Sequence, residues 1–155
     1  MPSSYGDASY DIDYLIEGWT RVSDAFWEEE FSLWGHKGIL PTDSIQGDYI
    51  GNCWFIAAAI GIAVEPNRLK KAFLIKEKNN ANVYALRMYA LGVPITITVD
   101  DYLPLISDRK TVYASVSEDG ALWSPILEKA YAKFIGNYEA LNGGFIGPGI
   151  ETMIG

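Results

Sequence analysis

From Cys53 to Val64 the chain reads Cys-Trp-Phe-Ile-Ala-Ala-Ala-Ile-Gly-Ile-Ala-Val, apolar or small at every position. So uniform a run predicts a helix buried on several sides, with Ala57, Ala58, Ala59 and Gly61 allowing close approach. Asn52, just before it, is a good N-cap. The run is too short to span a bilayer. Pro66 fits the first turn of a second helix, with Leu69, Ala72 and Phe73 at helical spacing. The period then changes to two. Val83–Ala90 and Val93–Val99 read as a hairpin about Leu91-Gly92, with Val93, Ile95, Ile97 and Val99 on one face and Pro94, Thr96 and Thr98 on the other. Helical spacing returns after Ser124-Pro125, where Ile126, Leu127, Ala130, Tyr131 and Phe134 share a face and Gly136 can end the helix. Asn142-Gly143-Gly144 begins a glycine-rich tail with no sign of a finished domain.

Residues 1–13 are polar and expected to fray. Residues 14–34 set Tyr14, Leu15, Ile16, Trp19, Phe26, Trp27, Phe31 and Trp34 among acids, a composition that packs onto a body rather than building its own core. Loops are expected at Gly35–Gly38, Pro41–Asp43 and Gly47–Asn52. These patterns divide the chain into an acidic N-terminal segment, 1–34, and a mainly helical α+β subdomain, 35–155.

Charge sharpens the division. The net charge is −8, all of it in residues 1–50, so the acidic segment is either a solvated face or a gatherer of cations. No basic stripe exists, which argues against nucleic acid as a partner. The chain has one cysteine. An internal disulfide is therefore impossible, a thiolate zinc site is excluded, and an intracellular, cytoplasmic setting is expected. Met1-Pro-Ser-Ser lacks the basic and apolar regions of a signal peptide.

The chemistry concentrates in Gln46-Gly47-Asp48-Tyr49-Ile50-Gly51-Asn52-Cys53-Trp54-Phe55. A lone cysteine in an apolar helix is ordinarily a structural residue; here its surroundings match what a thiol nucleophile needs. At a helix N-terminus the macrodipole favours the thiolate by roughly 0.3–1 kcal/mol, occasionally ~2. That positions Cys53 but does not fully activate it at neutral pH, and an imidazolium must supply the rest. The free backbone N–H of Cys53 is one donor for an oxyanion, and the Gln46 amide is placed to be another.

The order Gln-Gly, Gly, Asn-Cys-Trp resembles the calpain branch of the papain-like cysteine proteases. The likeness continues through Val99-Asp100-Asp101-Tyr102-Leu103-Pro104, through Leu122-Trp123-Ser124-Pro125-Ile126-Leu127-Glu128-Lys129-Ala130-Tyr131-Ala132-Lys133, and through Tyr138-Glu139-Ala140-Leu141-Asn142-Gly143-Gly144. It implies the nucleophile-bearing half of a papain-like core, built from a central helix and a small hairpin. It further implies Cys53 as nucleophile, Gln46 as oxyanion donor, and Gly143 and Gly144 as backbone contacts for a protein or peptide substrate. Trp54, Asp100, Asp101 and Glu128 are read as structural: core packing, a post-strand turn and helix-end electrostatics. The reaction implied is peptide-bond hydrolysis through a thioester at Cys53.

The chain departs from that pattern in several places. The family's catalytic histidine and asparagine come from a second subdomain, expected to lie outside these residues, so the chain alone should have little activity. The only histidine, His36, lies upstream in a glycine loop. Gln46 stands one residue farther from Cys53 than is usual in the family. Family calcium ligands carry over to the backbone carbonyls of His36 and Gly38, to Asp43 and to Ala121, and Ala121 has no carboxylate, so a Ca²⁺ site here is expected to be weakened, with Glu118 or Asp119 as replacements. Pro41 stands where the family has an arginine that links its two halves. Two other readings follow: a catalytically inactive, calpain-derived binding module, and a transglutaminase-like acyl transferase, which also places Gly-x-Cys-Trp at a helix start.

Overall fold

The computed structural model describes residues 16–26, 30–47, 49–107 and 110–155. Expectations for residues 1–15 and for Trp27 and Asp48 lie outside the described residues. In chain order the elements are β1 (Gly18–Arg21), α1 (Val22–Ala25), α2 (Cys53–Ala63), α3 (Pro66–Ala72), β2 (Val83–Ala90), β3 (Val93–Asp100), β4 (Tyr102–Ser107), β5 (Lys110–Thr111), α4 (Trp123–Ile135) and α5 (Ile146–Ile154). The architecture is α+β.

The hairpin forms as its alternation predicts. β2 and β3 pair antiparallel with Tyr84 opposite Val99, Leu86 opposite Ile97 and Met88 opposite Ile95. Tyr84, Leu86 and Met88 are buried, whereas the apolar face of β3 emerges from cover along its length, from Val99 at 6% exposure to Val93 at 61%. Both strands pack on α4, and α5 lies against α2 and β2. Phe55, Ala58, Ala59 and Ile62 of α2 meet Ile126, Leu127 and Ala130 of α4 and Met153 of α5 in one core. Trp54, Phe55 and Tyr131 form edge and tilted ring contacts with centroids 5.1–6.0 Å apart, each pair worth about 0.5–1.5 kcal/mol beyond its buried area.

Three sequence expectations need correction. First, α2 is not covered all round: Cys53, Ala57 and Gly61, four residues apart, leave one face open. Second, a separate three-stranded sheet of order β1-β4-β5 was not anticipated beside the hairpin. β1 runs antiparallel to β4, Gly18 opposite Leu105 and Arg21 opposite Tyr102. Through it the described part of residues 16–34 joins the body, with Val22, Phe26 and Leu33 buried in the common core. Asp101 receives Arg21 Nη1 at 2.7 Å and fixes the join. Third, the glycine-rich tail becomes helix α5. Pro148 lies in its first turn, where a missing N–H costs no hydrogen bond, and a Cβ on Gly149 would stand 2.9 Å from the Trp54 ring.

Candidate active site

α2 begins at Cys53, whose side chain is exposed. The sulfur thus sits at the positive end of a helix and open to an incoming group. Its first N–H groups have no intrahelical acceptor, a property of every helix start. The Asn52 carbonyl receives Phe55 N at 2.8 Å and Ile56 N at 3.1 Å, which opens the helix.

The Asn52 side chain does not cap α2, contrary to expectation. It turns inward, where Nδ2 donates to Oε1 of the fully buried Glu128. The other carboxyl oxygen of Glu128 accepts the Ala114 N–H at 2.7 Å. Glu128 is therefore not a helix-end charge: it lies mid-way along α4 and bridges the residue before Cys53 to the segment after β5. Burial pushes its carboxyl up to about 8, with the Ala114 and Asn52 hydrogen bonds pulling the other way. Among the described residues Asn52 Oδ1 is buried without a partner.

Further ties hold the same helix start. Trp54 Nε1 donates to the Leu141 carbonyl at 2.9 Å. Gly51 N donates to Asn142 Oδ1 at 3.1 Å, and Gly143 N returns a bond to the Gly51 carbonyl at 3.0 Å. The Gly51–Cys53 segment and the Asn142–Gly144 loop are thus laced side by side. Gly143 has φ +81, and a Cβ on Gly144 would lie 2.4 Å from the Trp54 ring. Both glycines are required by the fold itself, in addition to any role toward substrate.

Gln46 is exposed, and its Nε2 donates to the Ile50 carbonyl at 3.0 Å, closing its own loop. Gly47 anchors that loop: its Cα lies so close to the 112–113 backbone that a Cβ would stand 2.2 Å from the Tyr113 carbonyl. The amide therefore sits on the loop leading to Cys53, with one of its two N–H donors bonded locally.

The side chains around the residues read as calcium ligands have protein partners. Asp43 is buried and its Oδ2 accepts both Leu40 N at 2.9 Å and Trp123 Nε1 at 3.2 Å. Ala121 is buried and offers no oxygen from its side chain. Asp119 does reach the turn near Gly38: its Oδ2 accepts Lys37 N at 2.9 Å, and the Lys37 ammonium lies 4.0 Å from Oδ1. The His36 ring contacts the Glu30 carbonyl, with Nε2 at 2.9 Å, a contact separate from the backbone carbonyl that the resemblance implies as a ligand. Calcium needs six to eight oxygens; Ala121 supplies no carboxylate, and Asp43 and Asp119 each accept N–H donors on one oxygen. Among the described residues no group of three or more His, Cys, Asp or Glu side chains is arranged to hold a metal.

Over residues 13–155 the chain matches the family described as calpain family cysteine protease. The chain belongs to this family. It is 30% identical over 143 residues to the calpain-type cysteine protease DEK1 of Zea mays, an alignment covering 91% of the chain and 7% of that relative. It is 33% identical over 115 residues to DEK1 of Arabidopsis thaliana, covering 74% and 5%. With the calpain-1 catalytic subunit of Homo sapiens it shares 32% identity over 140 residues, covering 88% and 19%. The chain thus spans only 5–19% of the length of these calpain relatives.

Sequence reasoning missed the partners that lace Cys53 into place. Leu141 and Asn142 read in the sequence as part of a family-like motif and the approach to a glycine tail, not as partners of the helix start. No local signal links them to Gly51 and Trp54, 91 and 87 residues away. For Glu128 a signal did exist: a carboxylate among Ile126, Leu127, Ala130 and Tyr131 lies on an apolar face and must find donors if buried.

Proposed function

We propose that the chain is the nucleophile-bearing subdomain, residues 35–155, of a papain-like peptidase core, preceded by the acidic 1–34 segment. The observation that supports this reading best is the exposed Cys53 at the first position of α2, held by Asn52 to α4 and by Trp54 and Gly51 to the 141–142 segment. In this reading the Cys53 thiolate attacks a peptide carbonyl, the amine leaves with a proton from a histidine, and water resolves the thioester. The Cys53 N–H and the Gln46 amide receive the oxyanion, and Gly143 and Gly144 offer backbone to an extended peptide. Histidine and asparagine come from a second subdomain. The open face of α2 along Cys53, Ala57 and Gly61 favours its docking there. A transglutaminase-like reading has no support from the calpain match.

The setting is an intracellular one, on the strength of the single unpaired cysteine. Among the described residues no helix is long and apolar enough to cross a membrane.

A peptide epoxide carrying an apolar side chain tests the mechanism. It is expected to modify Cys53 when the chain is completed with a calpain histidine-bearing subdomain, and to leave the isolated chain largely unmodified. Equal labelling of both would remove the need for the imidazole. An inactive binding module would resist labelling even when completed.

Calcium is not what fixes the 36–43 loop in this reading. Asp119 docks on the turn instead, with Lys37 as its counter-charge. Calorimetric titration of the chain with Ca²⁺ is expected to show no binding at micromolar concentrations. A micromolar site would mean that Asp43 and Asp119 rearrange to share the ion.

A further inference from the structure

Asn52 and Glu128 form a buried polar pair directly behind the nucleophile. Glu128 makes its two hydrogen bonds to Asn52 Nδ2 and the Ala114 N–H, both neutral donors, and no cation lies against it among the contacts of the described residues. The tyrosines of the stacked pair Tyr113–Tyr138, with ring centroids 3.9 Å apart, belong to the segments on either side of α4. A buried polar group of this kind is costly and can be replaced by apolar packing at little loss of stability. Its position is what distinguishes it: one end is the residue whose carbonyl opens α2, and the next residue is Cys53.

We infer that Glu128 is a positioning residue for the nucleophile, holding Cys53 in register with the N-terminus of α2 through the Asn52 side chain. Either proton state of Glu128 keeps the hold. A carboxylate accepts Asn52 Nδ2. A carboxylic acid is served by the same amide turned over, so that Oδ1, now without a partner, accepts the acid proton. Asparagine supplies both a donor and an acceptor, so this hold survives the proton change. An aspartate at this position would set two carboxyl groups against each other and require a shared proton.

The role acts through Asn52 and touches no substrate. It rests on Cys53 being the nucleophile, but peptide hydrolysis and epoxide labelling judge that reading, whereas the following test is of thiol placement in the chain itself. Cys53 is the single cysteine, so alkylation by iodoacetamide at pH 7 reads one sulfur. Glu128→Met removes both acceptors. It is expected to slow alkylation about two- to fivefold while near-ultraviolet dichroism is retained, because the thiolate loses its alignment with the helix terminus. Glu128→Gln is expected to restore the wild-type rate, its amide donating to the Asn52 oxygen and its carbonyl receiving Ala114. Both variants remove the carboxyl charge, so the contrast between them isolates the hydrogen bonds. If Glu128→Met does not fold, Asn52→Ala carries the same expected slowing, since it leaves Glu128 bonded to Ala114. A wild-type rate in folded Glu128→Met or Asn52→Ala would overturn the inference. So would slow alkylation in Glu128→Gln.

Discussion

Glu128→Gln is expected to stabilise the chain strongly at pH 8.5–9 and hardly at all near pH 4.5. Burial raises the Glu128 carboxyl from 4.5 to about 8. A folded value above the unfolded one means that the folded state prefers the protonated acid. Stability is therefore fullest below about pH 4.5 and declines as pH rises toward 8, because the unfolded chain ionises its glutamate freely while the folded chain resists. Beyond 8 the folded carboxyl ionises too and the loss levels off. At ~1.4 kcal/mol per unit the ceiling is roughly 5 kcal/mol. Relaxation around the ion reduces this, and about 2–4 kcal/mol is a realistic gain for the amide. In a chain of this size that is on the order of 5–15 °C in Tm. Groups that do not interact with Glu128 act on both proteins and cancel in the difference, and Tyr138, which does feel the Glu128 charge, is raised well above its ordinary value and stays protonated across this range. Thermal melts of the pair across pH 4.5–9 check the prediction. Parallel curves would show that Glu128 is not held mainly as the acid below pH 8.

The parts of the fold legible in the sequence are those where one face of one element meets the core. The period of two in Val83–Ala90 and the helical spacing of Ile126, Leu127, Ala130 and Tyr131 both report such faces, and both elements form. The elements that escaped notice carry signals of the opposite sign. β4 contains Pro104, which argues against an inner strand. It is nonetheless the middle strand, because the Pro104 carbonyl still accepts Val112 N at 3.0 Å and β5 is only Lys110–Thr111. α5 contains Gly147, Pro148 and Gly149, which read as a broken tail. Their cost is offset by the close packing that only Gly149 permits against Trp54 and Ala58.

The site divides in the same way. Cys53 and its helix start were legible because the chemistry is local, and the structure exposes that residue at that position. Asn52 was misread because N-cap preference is a local rule, whereas its side chain answers a buried carboxyl 76 residues away. Trp54 was rightly placed in the packing, but the Leu141 carbonyl that orients its indole is a backbone atom, invisible to any reading by residue type.

Replacing Gln46 with Ala in the completed enzyme is expected to lower kcat by about 10²–10³-fold, the usual loss for one oxyanion donor, with KM little changed. The resting geometry sets the conditions for this. One Gln46 N–H is bonded to the Ile50 carbonyl, four residues along its own loop, and the amide carries a second. To serve an oxyanion it presents that second N–H or turns the first from a neutral acceptor to a charged one. The exchange is favourable, because hydrogen bonds to an ionised oxygen are roughly twice as strong as those between neutral groups. Gln46 is exposed and its side chain has room to turn, while Gly47 pins the loop against the 112–113 backbone. Catalytic hydrogen bonds often tighten only when substrate arrives. The bond to Ile50 is then a resting contact, kept until charge develops. A donor made only in the transition state changes kcat and leaves ground-state binding alone. A purely structural Gln46 would behave differently: removing the Ile50 bond would loosen the loop, raise KM and lower Tm, with kcat nearly preserved. Steady-state kinetics of Gln46→Ala beside its melting curve separates these outcomes, and a change in KM and Tm alone would return Gln46 to the loop.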